Sequence, residues 1–269
     1  MKKDEKSAVR AVLFDVDGTL ADTERDGHRP AFNAAFRELG LDWEWGVELY
    51  GELLAITGGK ERIRHFIENH EPAELAREGL DDWIARVHKV KTRHYVEALE
   101  RGGIPLRPGV ARLIRQLREA NIKIAIATTT TPENVTGLLK STLGEDSPGW
   151  FDVIGAGDIV PGKKPEPDIY HWVLDRLALT PEQCLAIEDS LAGITSALAA
   201  GMKVLAVATT NPGDKLTDAH WVVPTLEVPR AIGSIVSVMA LTRALRRGKK
   251  RWIAMIQAIE VQRGQCLSP

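Results

Sequence analysis

The sequence predicts an α/β protein with a doubly wound parallel sheet and an inserted α-helical domain. Six short apolar runs, rich in aliphatic side chains, are typical of strands that are buried on both faces of a parallel sheet. Amphipathic stretches separate the later runs, and alternating strands and helices favour right-handed crossovers. About a hundred residues without a comparable run lie between the first and second runs. This gap predicts an insertion directly after the first strand.

The predicted strands are spread over most of the chain. They cover residues 11–14, 122–127, 151–154, 184–187, 204–207 and 221–223. Two helices between them have apolar residues at positions i, i+3, i+4 and i+7 or close to that spacing, which is the pattern of one buried helical face. These apolar positions are Val110, Leu113, Ile114 and Leu117, then Ile169, Val173, Leu174 and Leu177.

The insertion, at about residues 22–103, is predicted to be helical. Its apolar stripes are Phe32, Ala35, Phe36 and Leu39, then Ile63, Phe66 and Ile67, then Trp83, Ile84, Val87, His94, Tyr95 and Ala98. Pro30 and Gly40 are start and stop signals for the first of these helices. Ligands of open α/β sheets bind at the carboxyl ends of the strands, so an insertion rooted there is expected to cover the binding crevice.

Composition excludes several classes of protein. The chain has 269 residues, of which 44% are hydrophobic and 27% charged, with a formal net charge of −2. Long disorder is therefore not expected, and neither nucleic acid nor an anionic membrane is an expected partner. Two cysteines are too few for a disulfide scaffold, which favours a reducing compartment. The sequence has no apolar run long enough for a membrane span, and its charged start does not suit a signal peptide, so we predict a cytoplasmic protein.

Polar residues follow four of the predicted strands. Asp15 and Asp17 follow the first, Thr128 and Thr129 the second, and Glu188 and Asp189 the fourth, while Lys163 and Lys164 come after the third. Each group alone is also typical of a solvated turn, a strand end or a helix cap. Because parallel strands share one carboxyl edge, the four groups together predict a single site.

The charges of this site indicate its chemistry. Two carboxylates ~4 Å apart repel by about 4 kcal/mol at an effective dielectric constant near 20, so cations must hold the cluster. A lysine supplies one charge, and an all-oxygen ligand set suits Mg2+. The segment 128–131 leads into a predicted helix whose N-terminus favours an anion. A phosphoryl group fits this combination.

In this order, the motifs resemble those of the haloacid dehalogenase superfamily of phosphotransferases. They are Asp15-Val16-Asp17-Gly18-Thr19, Thr128, Lys164-Pro165 with Pro167-Asp168, and Glu188-Asp189-Ser190. The resemblance implies a Rossmann-like core at residues 8–21 and 104–236 and a helical cap at residues 22–103. The stretches 21–29, 57–63 and 127–130 are most similar to those of the CbbY-type phosphatases, which resemble β-phosphoglucomutase and act on xylulose 1,5-bisphosphate.

The resemblance also implies a role for each motif residue. Asp15 would be the nucleophile, and Asp17 would protonate the leaving group and then activate water. Thr128 and Lys164 would bind the transferring oxygens, with Lys164 preferred to Lys163 because it directly precedes the proline. Thr129 and Asn134 would add hydrogen bonds to phosphate or substrate. The implied Mg2+ ligands are Asp15, the backbone carbonyl of Asp17, Glu188 and Asp189.

Residues near the two hinges of the cap are candidates for substrate binding. They are Glu24, His28, Arg29, Lys60 and Arg62. The second phosphate of a bisphosphate needs a cation away from Mg2+, which Lys60, Arg29 or Arg93 can supply. Arg62 and Arg93 are also typical of solvated residues on cap helices, and His28 of a packing residue. The interval from Thr23 to His28 is one residue longer than in the β-phosphoglucomutase pattern.

We therefore predict a Mg2+-dependent phosphatase of sugar phosphates or bisphosphates, with a phosphorylated sugar as its partner and a monomeric state. A phosphosugar mutase with the same core is an alternative, and a non-catalytic sensor of phosphorylated metabolites is another. Asp17 favours phosphate esters over halides, because a halide leaving group needs no acid. A sensor would need neither a nucleophile nor an acid.

Residues 237–269 form a predicted basic, amphipathic extension outside the resemblance. Its basic residues are Arg243, Arg246, Arg247, Lys249, Lys250 and Arg251, and apolar residues follow from Trp252 to Ile259. A helix packed on the core with a solvated basic rim is expected. A helix that binds a membrane surface or a partner is the alternative.

Overall fold

The computed structural model describes residues 9–102 and 104–227. Within this part of the chain, the sheet has the order β3-β2-β1-β4-β5-β6, and every pair of neighbours is parallel. All six apolar runs form strands, which confirms the predicted fold class. The strands are β1 (Ala11–Phe14), β2 (Lys123–Ala127), β3 (Val153–Gly155), β4 (Cys184–Glu188), β5 (Lys203–Val207) and β6 (Trp221–Val223).

The strand order changes direction at β1. The chain moves from β1 outward through β2 to β3, and then returns to place β4 on the other side of β1. Phe14 lies level with Ile126 of β2 and Ile187 of β4, so the three strands end side by side. Ligands bind at such a switch point in open α/β sheets.

Helices cover both faces of the sheet. They are α5 (Val110–Glu119), α6 (Pro132–Leu143), α7 (Asp168–Leu177) and α8 (Leu191–Ala199). Alternate strand residues such as Leu13 and Ala186 pack in one core cluster with α7 and α8. The period-two alternation of a strand turns the intervening residues, which are also buried, to the opposite face. Both faces of the four central strands are therefore buried, as the continuous apolar runs predict, whereas β3 and β6 at the edges are half-buried.

Four α-helices lie between β1 and α5 in the described part of the chain, inside the predicted insertion. They are α1 (Arg29–Glu38), α2 (Val47–Leu53), α3 (Gly59–His70) and α4 (Leu80–Glu100). The three predicted apolar stripes form α1, α3 and α4, whereas α2 was not predicted. An aromatic cluster that includes Phe32, Phe36, Trp43, Trp45 and Phe66 forms the core of this insertion. The boundaries at residues 22 and 103 stay predictions.

One predicted stripe is shifted in the structure. The buried residues of α4 are Ile84, Val87, Lys91, Tyr95 and Leu99, so His94 and Ala98 were wrongly placed on the buried face. The buried stripe passes through a lysine, which a search for apolar spacing does not count. His94 instead contacts Glu38 near the surface.

The predicted extension at residues 237–269 lies outside the described residues. Within the part of the chain that the structure covers, no helix combines the length and the apolar character that crossing a membrane requires.

Candidate active site

Three carboxylates from the strand ends meet at the switch point. Asp15 directly follows β1, Glu188 ends β4 and Asp189 follows it, and one oxygen of each lies within 4.8 Å of the others. All three side chains are buried. Burial raises the pKa of Asp15 well above its usual value and the pKa of Asp189 to about 7, and the neighbouring carboxylates add to both shifts. The cluster therefore needs positive charge.

Lys164 supplies one positive charge to this cluster. Its Nζ lies 2.7 Å from Oδ1 of Asp15 and 2.6 Å from Oε1 of Glu188, and the residue is 4% exposed. Burial opposes its charge, but the two carboxylates outweigh burial and raise its pKa above the usual value. The neighbouring Lys163 binds Asp158 and the carbonyl of Gly157 instead.

The cluster also fits a divalent cation. Oε2 of Glu188 and Oδ2 of Asp189 are buried, and neither has a hydrogen-bond partner among the described residues. Unpartnered buried carboxylate oxygens are costly unless a donor or a metal binds them. An all-oxygen donor set is the set that Mg2+ prefers. Asp15, Glu188 and Asp189 are therefore the residues that would hold the ion, and the carbonyl of Asp17 stays a predicted ligand.

Asp17 is turned away from this cluster and toward the cap. The turn contains Gly18, whose positive φ of 81° and close approach to Asp189 exclude a side chain. Oδ1 of Asp17 accepts hydrogen bonds from Thr23 and from Nε2 of His28, which lies 2.8 Å away. The turn thus separates the two aspartates and gives them different partners.

A buried lysine fixes the tautomer of His28. Nζ of Lys91 lies 2.7 Å from Nδ1 of His28, so a protonated Lys91 makes Nδ1 the acceptor and leaves the ring proton on Nε2, facing Asp17. Burial lowers the pKa of Lys91 to about 8, which leaves it mostly protonated at pH 7. Burial would raise the pKa of Asp17, but His28 and Thr23 outweigh burial and hold it at about 2.

The segment after β2 forms one wall of the cleft. Thr128 is buried, and its Oγ1 accepts a hydrogen bond from the backbone of Thr130 at 3.3 Å. Thr129 lines the cleft, whereas Nδ2 of Asn134 donates to Oγ1 of Thr130 at 3.0 Å. Asn134 therefore stabilises the segment that leads into α6 through this hydrogen bond.

On the opposite wall of the cleft, the cap contributes a cluster of three polar side chains. Tyr50 donates to Oε2 of Glu24 at 2.5 Å, and Nη1 of Arg62 lies 2.9 Å from the Tyr50 hydroxyl and 3.6 Å from Glu24. Arg62 is 7% exposed, so its expected solvation was wrong. The cleft between the walls is lined by Asp15, Asp17, Glu24, Thr57, Gly58, Arg62, Thr129, Lys164, Asp189, Ser190, Ala192 and Thr210.

A short π-type turn, Glu24–His28, brings two residues of the cap to the site. Glu24 lines the cleft, and His28 binds Asp17. Such a turn takes up one residue more than an α-helical turn, which matches the longer interval in the sequence. Gly27 lies within it, and a Cβ there would meet Ile104 and Tyr95. Glu24 and His28 both reach the site across this turn.

Other predicted cap residues have different partners. Lys60 binds Asp158, which follows β3, and Nη1 of Arg29 donates to the carbonyl of Trp45 at 3.3 Å. Arg93 pairs with Glu38 and is 53% exposed. The structure does not bring Lys60 or Arg29 into the lining of the cleft, and their substrate contacts stay predictions. Sequence reasoning missed Lys91 and Tyr50.

The fold and the site together define a hydrolase with a buried carboxylate cluster at the switch point of a Rossmann-like sheet. The family model for haloacid dehalogenase-like hydrolases matches residues 9–201. The chain belongs to this family, and it is a phosphatase within it.

Proteins named CbbY are among its similar relatives. Protein CbbY from Cupriavidus necator is 48% identical over 222 residues, which cover 82% of this chain and 87% of that protein. Hexitol phosphatase A from Escherichia coli is 33% identical and covers 81% and 92%. The crystal structure of a mutant of CbbY from Rhodobacter sphaeroides in complex with xylulose-1,5-bisphosphate is similar with a TM-score of 0.75 and 41% identity, covering 81% of this chain and 95% of that one.

Proposed function

We propose that the protein is a Mg2+-dependent phosphatase of phosphorylated sugars that works through an aspartyl phosphate on Asp15. We further propose xylulose 1,5-bisphosphate as its substrate. The observation that carries the proposal is the division of labour between two aspartates. Asp15 lies beside Lys164 and two other carboxylates, whereas Asp17 faces hydrogen-bond donors from the cap. Similarity to the CbbY protein that binds this bisphosphate supports the choice of substrate.

In the first half of the reaction, Asp15 attacks phosphorus in line. Lys164 holds Oδ1 of Asp15, and its third N–H remains for an oxygen of the transferring group. Thr128 and the N-terminus of α6 bind the other phosphoryl oxygens. Bound Mg2+ would neutralise charge that develops on the phosphoryl group.

Asp17 then manages the proton. An arriving phosphate dianion opposes the ionisation of Asp17 and raises its pKa, so that the carboxyl group can protonate the leaving alkoxide. Once the sugar alcohol departs, His28 and Thr23 favour the carboxylate form again. That carboxylate deprotonates the water that hydrolyses the aspartyl phosphate. One residue thus serves both halves.

The cap wall binds the sugar. Glu24 can accept hydrogen bonds from sugar hydroxyls, and Arg62 places a cation on the wall that faces Asp15 and Asp17. The second phosphate of a bisphosphate would lie on this side, with Lys60 as the other candidate cation. A monomeric state and a cytoplasmic location remain our predictions.

A panel of sugar monophosphates and bisphosphates tests the proposal. We expect Mg2+-dependent release of free phosphate, fastest with xylulose 1,5-bisphosphate, and loss of release with EDTA. Formation of an isomer with little free phosphate would instead indicate a mutase, which must exclude water while the intermediate turns. Binding without turnover, unchanged in Asp15→Asn, would indicate a sensor.

A further inference from the structure

Tyr170 lies fully buried beneath the strand-end cluster, which consists of Asp15, Glu188 and Asp189. It belongs to the first turn of α7, and its hydroxyl donates to Oε1 of Glu188, the same oxygen that binds Lys164. Nζ of Lys164 lies 5.3 Å from the centre of the Tyr170 ring, over its face. Tyr170 therefore contacts two of the charged residues next to Asp15, namely Glu188 and Lys164, and it lines no part of the cleft.

Glu188 and Asp15 share one ammonium group. Both accept from Lys164, at 2.6 Å and 2.7 Å. The Tyr170 hydroxyl gives Glu188 a second donor without adding charge. If this donor were lost, Glu188 would depend on Lys164 alone and would draw the ammonium away from Asp15.

The other side of Glu188 is closed as well. Its Oε2 lies against Gly193 in the first turn of α8, where any Cβ would collide with the carboxylate. Gly193 leaves just enough room for Oε2, and Tyr170 holds Oε1. The carboxylate is thus confined between two helices that follow different strands.

We propose that Tyr170 is a positioning residue. By binding Oε1 it holds Glu188 in place, keeps Lys164 on Asp15 and preserves the shape of the carboxylate cluster for the metal ion. The inference deepens the proposed function and rests on it. It assigns the tyrosine no contact with substrate.

The test compares wild type with Tyr170→Phe, which removes only the hydroxyl. We expect the Mn2+ dissociation constant, measured by EPR on the substrate-free protein, to rise about tenfold, since loss of a partner behind a metal ligand typically costs 10–100-fold. We also expect kcat to fall about tenfold while KM changes less than twofold. Gly193→Ala displaces Glu188 from the other side and should weaken Mn2+ binding in the same direction.

Val173→Ala is the matched control, because Val173 is also fully buried on α7. It should lower the melting temperature without changing the Mn2+ dissociation constant or kcat. The proposal is overturned if Tyr170→Phe matches wild type in Mn2+ affinity, if Val173→Ala weakens it equally, or if wild type binds no Mn2+. A wild type that binds Mn2+ but releases no phosphate would refute the proposed function alone, and the Mn2+ comparison would still decide the role of Tyr170.

Discussion

The strand-end cluster and the cap wall face the same cleft, but they are built in different ways. Each carboxylate of the cluster lies at the end of a strand of the parallel sheet or directly after it, so the register of β1 and β4 places Asp15 beside Glu188. The cap wall instead combines Glu24, Tyr50 and Arg62 from three different segments. Once the topology is known, the position of each strand end in the sheet is known as well. The direction of a side chain on a helix also depends on how that helix is rotated about its axis.

This difference explains what the sequence could predict. Asp15, Asp17, Glu188 and Asp189 were predicted to meet, together with a lysine and Thr128. The structure places Asp15, Lys164, Glu188 and Asp189 together, whereas Asp17 turns toward the cap. On the cap, Lys60 was a candidate for the cleft but pairs with Asp158. Its side chain is long and charged, and sequence spacing does not indicate which of several anions it will reach.

The burial of a charged side chain was the second feature that the sequence did not predict. Lys91 lies within the buried stripe of α4. In a sequence, a charged residue is usually taken to mark the edge of an apolar stripe. Here Lys91 is held inside by His28 and by the faces of Phe32 and Tyr95, 4.9 Å and 5.2 Å from its Nζ. The sequence shows none of these partners, because they come from another helix or from the next turn of α4.

The largest effect is expected at the cluster. Asp15→Asn should lower turnover by about 10⁴-fold or more, because it removes the nucleophile while leaving the site folded. Phosphate release measures this, with circular dichroism as the check on folding. Substantial activity in the variant would mean that another group is the nucleophile, and the strand-end cluster would lose its central role.

The next largest loss of activity is expected at Asp17, which lies between the strand-end cluster and the cap wall. Asp17→Asn should lower kcat by about 10²–10⁴-fold with little change in substrate affinity, since a positioned acid and base is lost. Single-turnover kinetics and equilibrium binding separate the two quantities. An unchanged kcat would remove Asp17 from proton transfer.

Two cap variants test which cation binds the distal phosphate. Arg62→Met and Lys60→Met should both raise KM for a bisphosphate more than for a monophosphate. We expect the larger rise, about tenfold or more, for Arg62, because it lines the cleft and its charge is shielded from water. Equal effects of a variant on both substrates would show that its residue does not bind the distal phosphate.

Lys91→Met should separate stability from activity. The pKa of Lys91 falls from 10.5 to about 8 on folding, which corresponds to on the order of 3 kcal/mol against the folded state at neutral pH. The unfolded chain binds more protons between these two pKa values, so wild-type stability should increase with pH from about 8 to 10.5. The variant should be more stable at pH 7, lack this increase and turn over more slowly.

Urea unfolding at pH 7 and pH 10 measures the stability of Lys91→Met. Lys89→Met, on the exposed side of the same helix, is the matched control and should behave like wild type. A variant that is less stable than wild type at pH 7 would mean that the contacts of Lys91 outweigh the cost of burying its charge.

The smallest effect is expected on the outer surface of the cap. Arg93→Ala breaks an exposed pair with Glu38 and should change the free energy of unfolding by less than about 1 kcal/mol. KM for a bisphosphate should stay within about twofold of wild type. A clear rise in that KM would place Arg93 in substrate binding.

The turn at Glu24–His28 determines how this hinge accommodates an added residue. In a regular α-helix, one added residue rotates everything after it by about 100° and would carry His28 away from Asp17. The wider turn absorbs the addition locally, so the residues on either side keep their orientation. The chain at this hinge can therefore hold one residue more without turning His28 away from Asp17, provided that a glycine such as Gly27 allows the close packing.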